Sequence, residues 1–468
     1  MNHNPATRTT RRDFLKHGAL ASFLLALPKT GAAATPKSTA ATAVFDVIVA
    51  GGGPAGVCAA VAAARNGAST LLLERGGLLG GMLTAGHVNP ILGMTGPGTM
   101  ADELIRRLSL NGEITSETTR NGREVYIDVE HAKTALFNFA AETDKLTCWL
   151  QSAVVDVSTD ASGAIASLLV GTPQGLVNLS AKTFVDATGD GSVAAFAGAD
   201  YEIGRADGLM QPVTLEFTLS NVDETRAITA YGGSDPVKLP SGQRYSAFCK
   251  EANARGELPE NVTIVRLHRT ARPGERNVNA TQSNRVNALV PAEIFSSTRD
   301  LRNQIAQTVR FLQRHIPGYE NCLLKSSGSV LGVRETRRVT GRYILNDHDV
   351  ETGSKFPDAV VRDAWFLIDI HNPAGGGQAE KQSKIAKPYD IPLRSLIPLK
   401  IPNLLLAGRC ISGTHRAHAS YRVMAICMAT GQAAGTAAAL CAKTGAAPGD
   451  LPPAQVRAAL AAQGVSLA

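Results

Sequence analysis

The chain has 468 residues, 44% hydrophobic and 19% charged, an ordinary globular composition long enough for two or three domains with sizeable cores. Its formal charge of +7 overstates the body: Arg8, Arg11, Arg12, Lys16 and Lys29 against Asp13 give residues 1–34 a net +4, and the +3 left elsewhere argues against nucleic acid or an anionic membrane surface as partner. Seven cysteines, odd in number and without C-x-x-C spacing, suggest neither a zinc site nor a disulfide framework, though one disulfide stays open.

Residues 1–34 read as a targeting segment to be set apart from the fold. Thr10-Arg11-Arg12-Asp13-Phe14-Leu15-Lys16 matches the twin-arginine export pattern, and a mildly apolar run from Gly18 to Leu27 leads to a small-residue cleavage candidate, Ala32-Ala33-Ala34. That route carries folded proteins, so a periplasmic or other extracytoplasmic location and the twin-arginine machinery as a partner are expected. The apolar run is too short for a mature span, and no other stretch reads as a membrane helix.

From Val44 the chain gives an apolar strand to Ala50, the turn Gly51-Gly52-Gly53-Pro54-Ala55-Gly56, an alanine-rich helix to Asn66, and a second strand ending at Glu74. Gly51 permits the tight turn, Gly53 lets backbone approach a pyrophosphate, and Gly56 lets the helix lie close to the strand. Glu74, 23 residues after Gly51, is placed to accept hydrogen bonds from ribose hydroxyls and to repel a 2′-phosphate. A glycine-rich loop follows from Arg75 to His87. Residues 99–111 and 128–142 have helical patterns, the second capped by Asp128. Between Cys148 and Val177 short strands with turns at 160–163 and 172–175 form a β-meander leading to a second turn, Val185 to Gly191.

Residues 201–388, more polar and less periodic, read as an inserted α+β substrate or cap domain with a helix over 298–315. It interrupts a Rossmann-like α/β domain made of 44–200 and 389–445, with a tail at 446–468 holding one short helix. In the second part, Asn403 to Ser412 is a buried strand followed by a polar turn, and 422–440 a small-residue helix.

Taken together, Gly51 to Glu74 with Gly80-Gly81, the Val185 to Gly191 turn, and Pro392 to Gly435 resemble the bacterial FAD-dependent oxidoreductase family of the glutathione-reductase-like flavoproteins. The likeness extends through Leu331 to Tyr343, Asp369-Ile370-His371 and Tyr389 to Pro398. It implies FAD as cofactor, with the pyrophosphate and ribose at Gly51, Gly53, Pro54, Ala55, Gly56, Glu74 and Arg75. It also implies Gly80, Gly81 and Met82 near the dinucleotide or flavin, Val155 near the adenine, and Ala187, Gly189, Asp190, Gly408, Arg409 and Ser412 around the remainder. Arg409 departs from the aspartate many relatives carry there; it exchanges a ribityl-binding acid for a cation suited to the pyrophosphate. Because only one full nucleotide fingerprint is present, electrons are expected to pass through substrate and an external acceptor or donor.

A flavin leaves orientation, proton transfer and charge stabilisation to the protein. His371 is the first acid/base candidate, with a structural pairing to Asp369 as the alternative, and His415 the second; His418 shares their setting. Arg334, Arg337, Arg338, Arg394 and Arg422 are candidates to clamp polar groups of a small-molecule substrate, with Arg334 and Arg394 preferred and Arg394 expected to be partly buried among its apolar neighbours. His87 and Cys410 are conceivable points of covalent flavin attachment. The expectation is an exported FAD-dependent dehydrogenase or reductase passing a hydride between substrate and flavin N5; a redox-neutral hydratase, lyase or isomerase and a flavin electron carrier are the alternatives.

Overall fold

The computed structural model describes residues 44–119, 122–375 and 385–467, so the expected leader lies outside the described residues. Strand Val44–Ala50 pairs in parallel with Thr70–Leu73 on one side and with Gly175–Asp186 on the other. Leu146–Trp149 and Leu404–Leu406 extend the parallel part, and Ile165–Thr172 and Ala153–Thr159 complete a seven-stranded sheet. The twelve-residue strand Gly175–Asp186 serves twice: its first half closes the meander against Ile165–Thr172, and its second half enters the parallel sheet. Register pairs Ala50 with both Leu73 and Asp186, and Asp186 with Leu406. Four strands therefore release their next residues at one edge: Gly51, Glu74, Ala187 and Ala407. In an open α/β sheet this edge is where ligands bind.

Behind that edge, helices Pro54–Arg65 and Met424–Thr444 lie against each other and both pack on the sheet. Alanines and glycines bring the two helices close: a Cβ on Gly431 would stand 2.1 Å from the Ala55 carbonyl oxygen, and one on Gly435 2.0 Å from that of Ala59. The four-residue spacing on both helices keeps the contact on one face. The helix expected over 422–440 thus starts at Met424 and runs to Thr444, preceded by the short helix His415–Tyr421. By length and composition it could cross a membrane, contrary to the reading of the sequence, but 94% of its apolar window is buried in the protein. It is apolar all round because sheet and helices cover it all round.

A second core runs from Val213 to Leu331. Its antiparallel sheet has the order Arg266–Arg269, Arg276–Asn279, Phe217–Ser220, Leu323–Ser327, and helix Pro291–His315 contributes Leu301, Ile305, Phe311 and Leu312 to the same core. That helix starts seven residues before the expected 298, with Pro291 at its first turn. Of the expected 201–388 insertion, Val339, Leu345, Val350, Val360, Phe366 and Ala386 pack into the first core instead. Helices Met100–Leu108, Val129–Ala141 and Pro453–Ala462 form where periodicity placed them, and Asp128 caps the second by accepting from the His131 amide at 2.7 Å.

Gly431→Ala is expected to destabilise the protein by about 3 kcal/mol, since its methyl meets backbone rather than a movable side chain. Urea unfolding followed by circular dichroism checks this.

Candidate active site

At the common strand edge, the glycines of the first turn separate by what surrounds them. A Cβ on Gly51, whose φ is +102°, would stand 2.5 Å from the Ala187 carbonyl oxygen, and one on Gly56 1.7 Å from that of Gly51. The fold itself demands these two. Gly53 is different: its Cβ position has nothing within 4 Å, and its φ of −70° suits any residue. No protein neighbour requires a glycine there, so the open space points to a ligand. Next to it, the first-turn amides of helix Pro54–Arg65 lack intrahelical acceptors and carry the positive end of the helix dipole.

The surrounding turns converge on this opening. Glu74 accepts from the amides of Gly52 at 2.7 Å and Gly76 at 2.6 Å, which fixes its carboxylate while leaving lone pairs for hydroxyl donors. Gly80 donates to the Gly52 carbonyl at 2.7 Å, and a Cβ on Gly81 would stand 3.1 Å from Gly53 Cα, so this loop, with half-buried Met82, lies across the turn. Asp190 takes Arg409 at 3.2 Å and the Thr336 hydroxyl at 2.9 Å, with exposed Arg75 3.8 Å away. Arg409 lies across Gly189, and its Nη1 is buried without a partner, a donor suited to a phosphate. Gly408 packs on Ala55 and donates to Thr430 at 3.1 Å. Val155 is exposed on the meander. Ser412 is buried against Gly341, its amide bonded to the Ser395 carbonyl and its hydroxyl without a partner. Asp186, singled out by no motif, pins the second turn by accepting from Thr188 and from the Ala194 amide. The acceptor, the open glycine, the helix end and the unpaired guanidinium nitrogen fit a dinucleotide.

The cap sheet covers the body with a polar face. Strand alternation sends Phe217, Leu219, Leu267 and Val278 into the second core, and register aligns Thr218, Asn277 and His268 in a row on the other side. His87, its φ at +62°, reaches this row: Nε2 contacts Thr218 Oγ1 at 2.9 Å and Ser326 Oγ at 3.0 Å, and its carbonyl accepts from Asn277. Burial, with the charge of Lys133, pushes its pKa down to about 4. Cys410 is also engaged within the protein, donating to the Asp186 and Ala407 carbonyls, with its thiol raised well above the ordinary value by burial.

Beside the polar face lies a buried charged cluster. His371 Nε2 is 3.2 Å from Asp369, its amide donates to Gln211 Oε1 at 3.2 Å, and its Nδ1 is buried without a partner. Asp369 also binds Arg422, through its carbonyl at 3.0 Å and its carboxylate at 3.3 Å. Burial and then the Arg334 charge hold the His371 imidazole well below its usual pKa, so it is neutral at physiological pH. Although burial opposes it, His371 and Arg422 keep the Asp369 carboxyl below the usual carboxylate range. Arg334 donates to the Pro212 carbonyl at 2.8 Å and is pushed down to about 9 by burial and then by Arg422. Glu216 is pushed up to about 8 by burial, and its Oε2 has no partner. Gln211 and Glu216 are absent from the residues picked out by sequence; the one available signal was a lone carboxylate inside the apolar run Val213 to Leu219.

The other candidates divide. His415 Nδ1 is 2.9 Å from fully buried Glu335, which also pairs with Arg338 and accepts from the Gln211 amide, while His415 Nε2 is buried and unpartnered. His415 and Ile370 both line a cavity of about 640 Å³. His418 is buried edge-on to Tyr421, its pKa well below normal because of burial. Arg338 is a buried tie to the Gly204 and Gly413 carbonyls, and Arg337 covers the Tyr201 ring. Arg394 is not among the group: the 3₁₀ turn Leu393–Leu396 buries its other three residues and turns Arg394 outward, where it pairs with Asp358 at 2.9 Å over Tyr343. Apolar neighbours in sequence therefore did not bury it.

Residues 46–460 match the model of the FAD dependent oxidoreductase family. No curated protein is similar to the chain at the sequence level. Among solved structures, a geranylgeranyl bacteriochlorophyll reductase-like protein of Thermoplasma acidophilum is 15% identical, with 89% of this chain and 82% of that one aligned and a TM-score of 0.45. The flavin-dependent brominase Bmp2 is 13% identical over 89% and 83%, with a TM-score of 0.46. The p-nitrophenol 4-monooxygenase PnpA of Pseudomonas putida is 12% identical over 86% and 81%, also at 0.46.

Gly53→Val is expected to fold with wild-type stability, since its Cβ meets no protein atom within 4 Å, and to lose its flavin. Absorbance per polypeptide after gel filtration, beside a urea unfolding curve, tests both halves; a flavin-replete variant refutes the assignment of the opening.

Proposed function

The chain belongs to the FAD-dependent oxidoreductase family, and from that premise we propose that it moves a hydride between FAD and a small anionic organic substrate held at the His371 cluster. The observation carrying this reading is the unshared Nδ1 of His371, on a neutral ring fixed by Asp369 and set among Arg334 and Arg422. When bound, FAD supplies the two-electron acceptor or donor at N5. In the oxidative direction, His371 Nδ1 takes the proton released from the substrate's hydroxyl or amine as its C–H electron pair departs, and Asp369 stabilises the imidazolium that forms. Arg334 and Arg422 offset substrate charge in a largely buried setting, which strengthens such contacts. Gly53, Glu74 and Arg409 hold the cofactor's phosphates and ribose.

Among the described residues the cap sheet is wholly antiparallel and carries no second strand-glycine-turn-helix unit, which supports an external electron partner over a resident nicotinamide. The Arg11-Arg12 pattern, its apolar run and Ala32-Ala33-Ala34 support export to the periplasm as a folded, cofactor-loaded protein. Replacing both arginines by lysine is expected to leave the holoprotein in the cytoplasm, as fractionation of expressing cells would reveal; unchanged export refutes this part.

Anaerobic mixing of the yellow protein with panels of hydroxy acids, amino acids, neutral alcohols and sugars tests the chemistry. Loss of visible flavin absorbance is expected with one anionic class. His371→Asn should retain FAD and slow that bleaching by about 10²–10⁴-fold. Bleaching by neutral compounds alone, or an unslowed variant, removes the reading.

A further inference from the structure

We propose that Gln211 selects the reacting group of the substrate. Its side-chain nitrogen donates to the oxygen on the carbon that is oxidised, which makes the anion taken at the His371 cluster a hydroxy acid and not an amino acid. The inference rests on the reading above that this cluster binds an anionic substrate, and it adds which class of anion.

Gln211 is 1% exposed and is held at three points. Its backbone amide donates to Glu335 Oε2 at 3.2 Å, and Glu335 is itself tied to Arg338 and to His415 Nδ1. The carbonyl of the next residue, Pro212, accepts from Arg334 Nη1 at 2.8 Å. The Gln211 side-chain oxygen accepts from the His371 amide at 3.2 Å. A backbone N–H can only donate, so oxygen faces His371 and the NH2 group is the other arm of the carboxamide. The two arms lie about 2.2 Å apart, which keeps Nε2 beside the His371 main chain.

Along this set of contacts three buried nitrogens have no partner among the described residues: Gln211 Nε2, His371 Nδ1 and Arg422 Nε. Their residues are joined in series, Arg422 to Asp369 at 3.3 Å, Asp369 to His371 at 3.2 Å, and His371 to Gln211. Two of the nitrogens can only donate. The third accepts, because His371 Nε2 carries its proton toward the Asp369 carboxylate and leaves Nδ1 bare on the neutral ring. The unmet demand is thus for two acceptors and one donor. A hydroxy acid meets it in full, with a carboxylate oxygen for Arg422, the hydroxyl oxygen for Gln211 and the hydroxyl hydrogen for His371. An ammonium offers donors alone and sets N–H against N–H at Gln211. A neutral amine would engage Gln211 with the lone pair that must form the C=N bond. Buried groups left unpaired in this way reject an analogue. The Asp369 side chain is 26% exposed, so the cluster opens to solvent on that side.

In the oxidative direction the O–H bond breaks toward His371 Nδ1 while the C–H electron pair departs to FAD and the C=O bond forms. Gln211 Nε2 holds the oxygen as its negative charge rises. The oxo acid then accepts from both Gln211 and protonated His371, so the same contacts serve the reverse reaction.

The test mixes the holoenzyme anaerobically with pairs that differ only in oxygen for nitrogen: glycolate and glycine, lactate and alanine, malate and aspartate, mandelate and phenylglycine, in both hands where chiral. Loss of flavin absorbance is expected with the hydroxy member of a pair only. Gln211→Glu keeps an oxygen for the His371 amide and exchanges the donor for an acceptor. It is expected to retain FAD, to lower the limiting rate of bleaching by about 10²–10³-fold, and to weaken binding of the matching oxo acid, read from the shift of the flavin band. Gln211→Met, of equal length and without a donor, carries the test if the Glu variant fails to fold. Bleaching by the amino member alone overturns the inference and leaves the anionic-substrate reading standing, whereas bleaching by neutral compounds alone removes that reading and the inference with it. Hydroxy-acid bleaching that the variants leave unslowed also overturns it. So does slowing with unchanged oxo-acid binding and a moved flavin midpoint potential, which gives the donor to the cofactor.

Discussion

The in-register ending of four parallel strands is the constraint on which the site depends. Ala50, Leu73, Asp186 and Leu406 stop at one level, so residues distant in sequence enter loops within a few ångströms of each other. The register in turn depends on thinness: Gly431 and Gly435 let one helix lie against the carbonyls of Ala55 and Ala59, and Gly56 lets the other lie against Gly51. A larger side chain at any of these contacts displaces a helix, and with it the helix terminus that offers amides to the cofactor. Packing and binding are thus one requirement, except at Gly53, where only binding is served.

The cap answers this edge with polar side chains on a sheet face that is buried. Thr218, Asn277, His268 and Glu216 would be costly there without partners. Most of the cost is met by His87 and Glu124 reaching across from the body. On that face Asn277 Oδ1 and Glu216 Oε2 stay without a partner.

Much of the cofactor half was legible in sequence because its determinants are local. Gly51 to Glu74 is a single strand-turn-helix-strand unit, Asp128 caps its own helix, and the meander is punctuated by its own turns. The substrate half was less legible because its determinants are not local. Arg422 meets Asp369, Gln211 meets His371, and Glu335 meets His415 only after the chain returns from the cap. Local composition misled in two places. Leu393 and Leu396 suggested burial for Arg394, which a turn of three residues per revolution directs outward. Polar, aperiodic sequence suggested that the insertion runs to 388, whereas Val339, Val350, Phe366 and Ala386 supply apolar side chains to the first core.

The double service of strand Gly175–Asp186 also bears on how the chain is made. Its second half is flanked by Val44–Ala50, near the start of the described residues, and by Leu404–Leu406, near their end. A growing polypeptide on the ribosome can complete the meander as soon as residue 186 emerges, yet the other edge of that strand stays unpaired until residue 406 has been synthesised. Throughout that interval the cap must fold as an excursion between two neighbours of one sheet, and the exposed edge invites pairing with other chains. Closure of the nucleotide site therefore waits for residue 406, and a nascent chain gains the cofactor's stabilisation only after that strand has emerged.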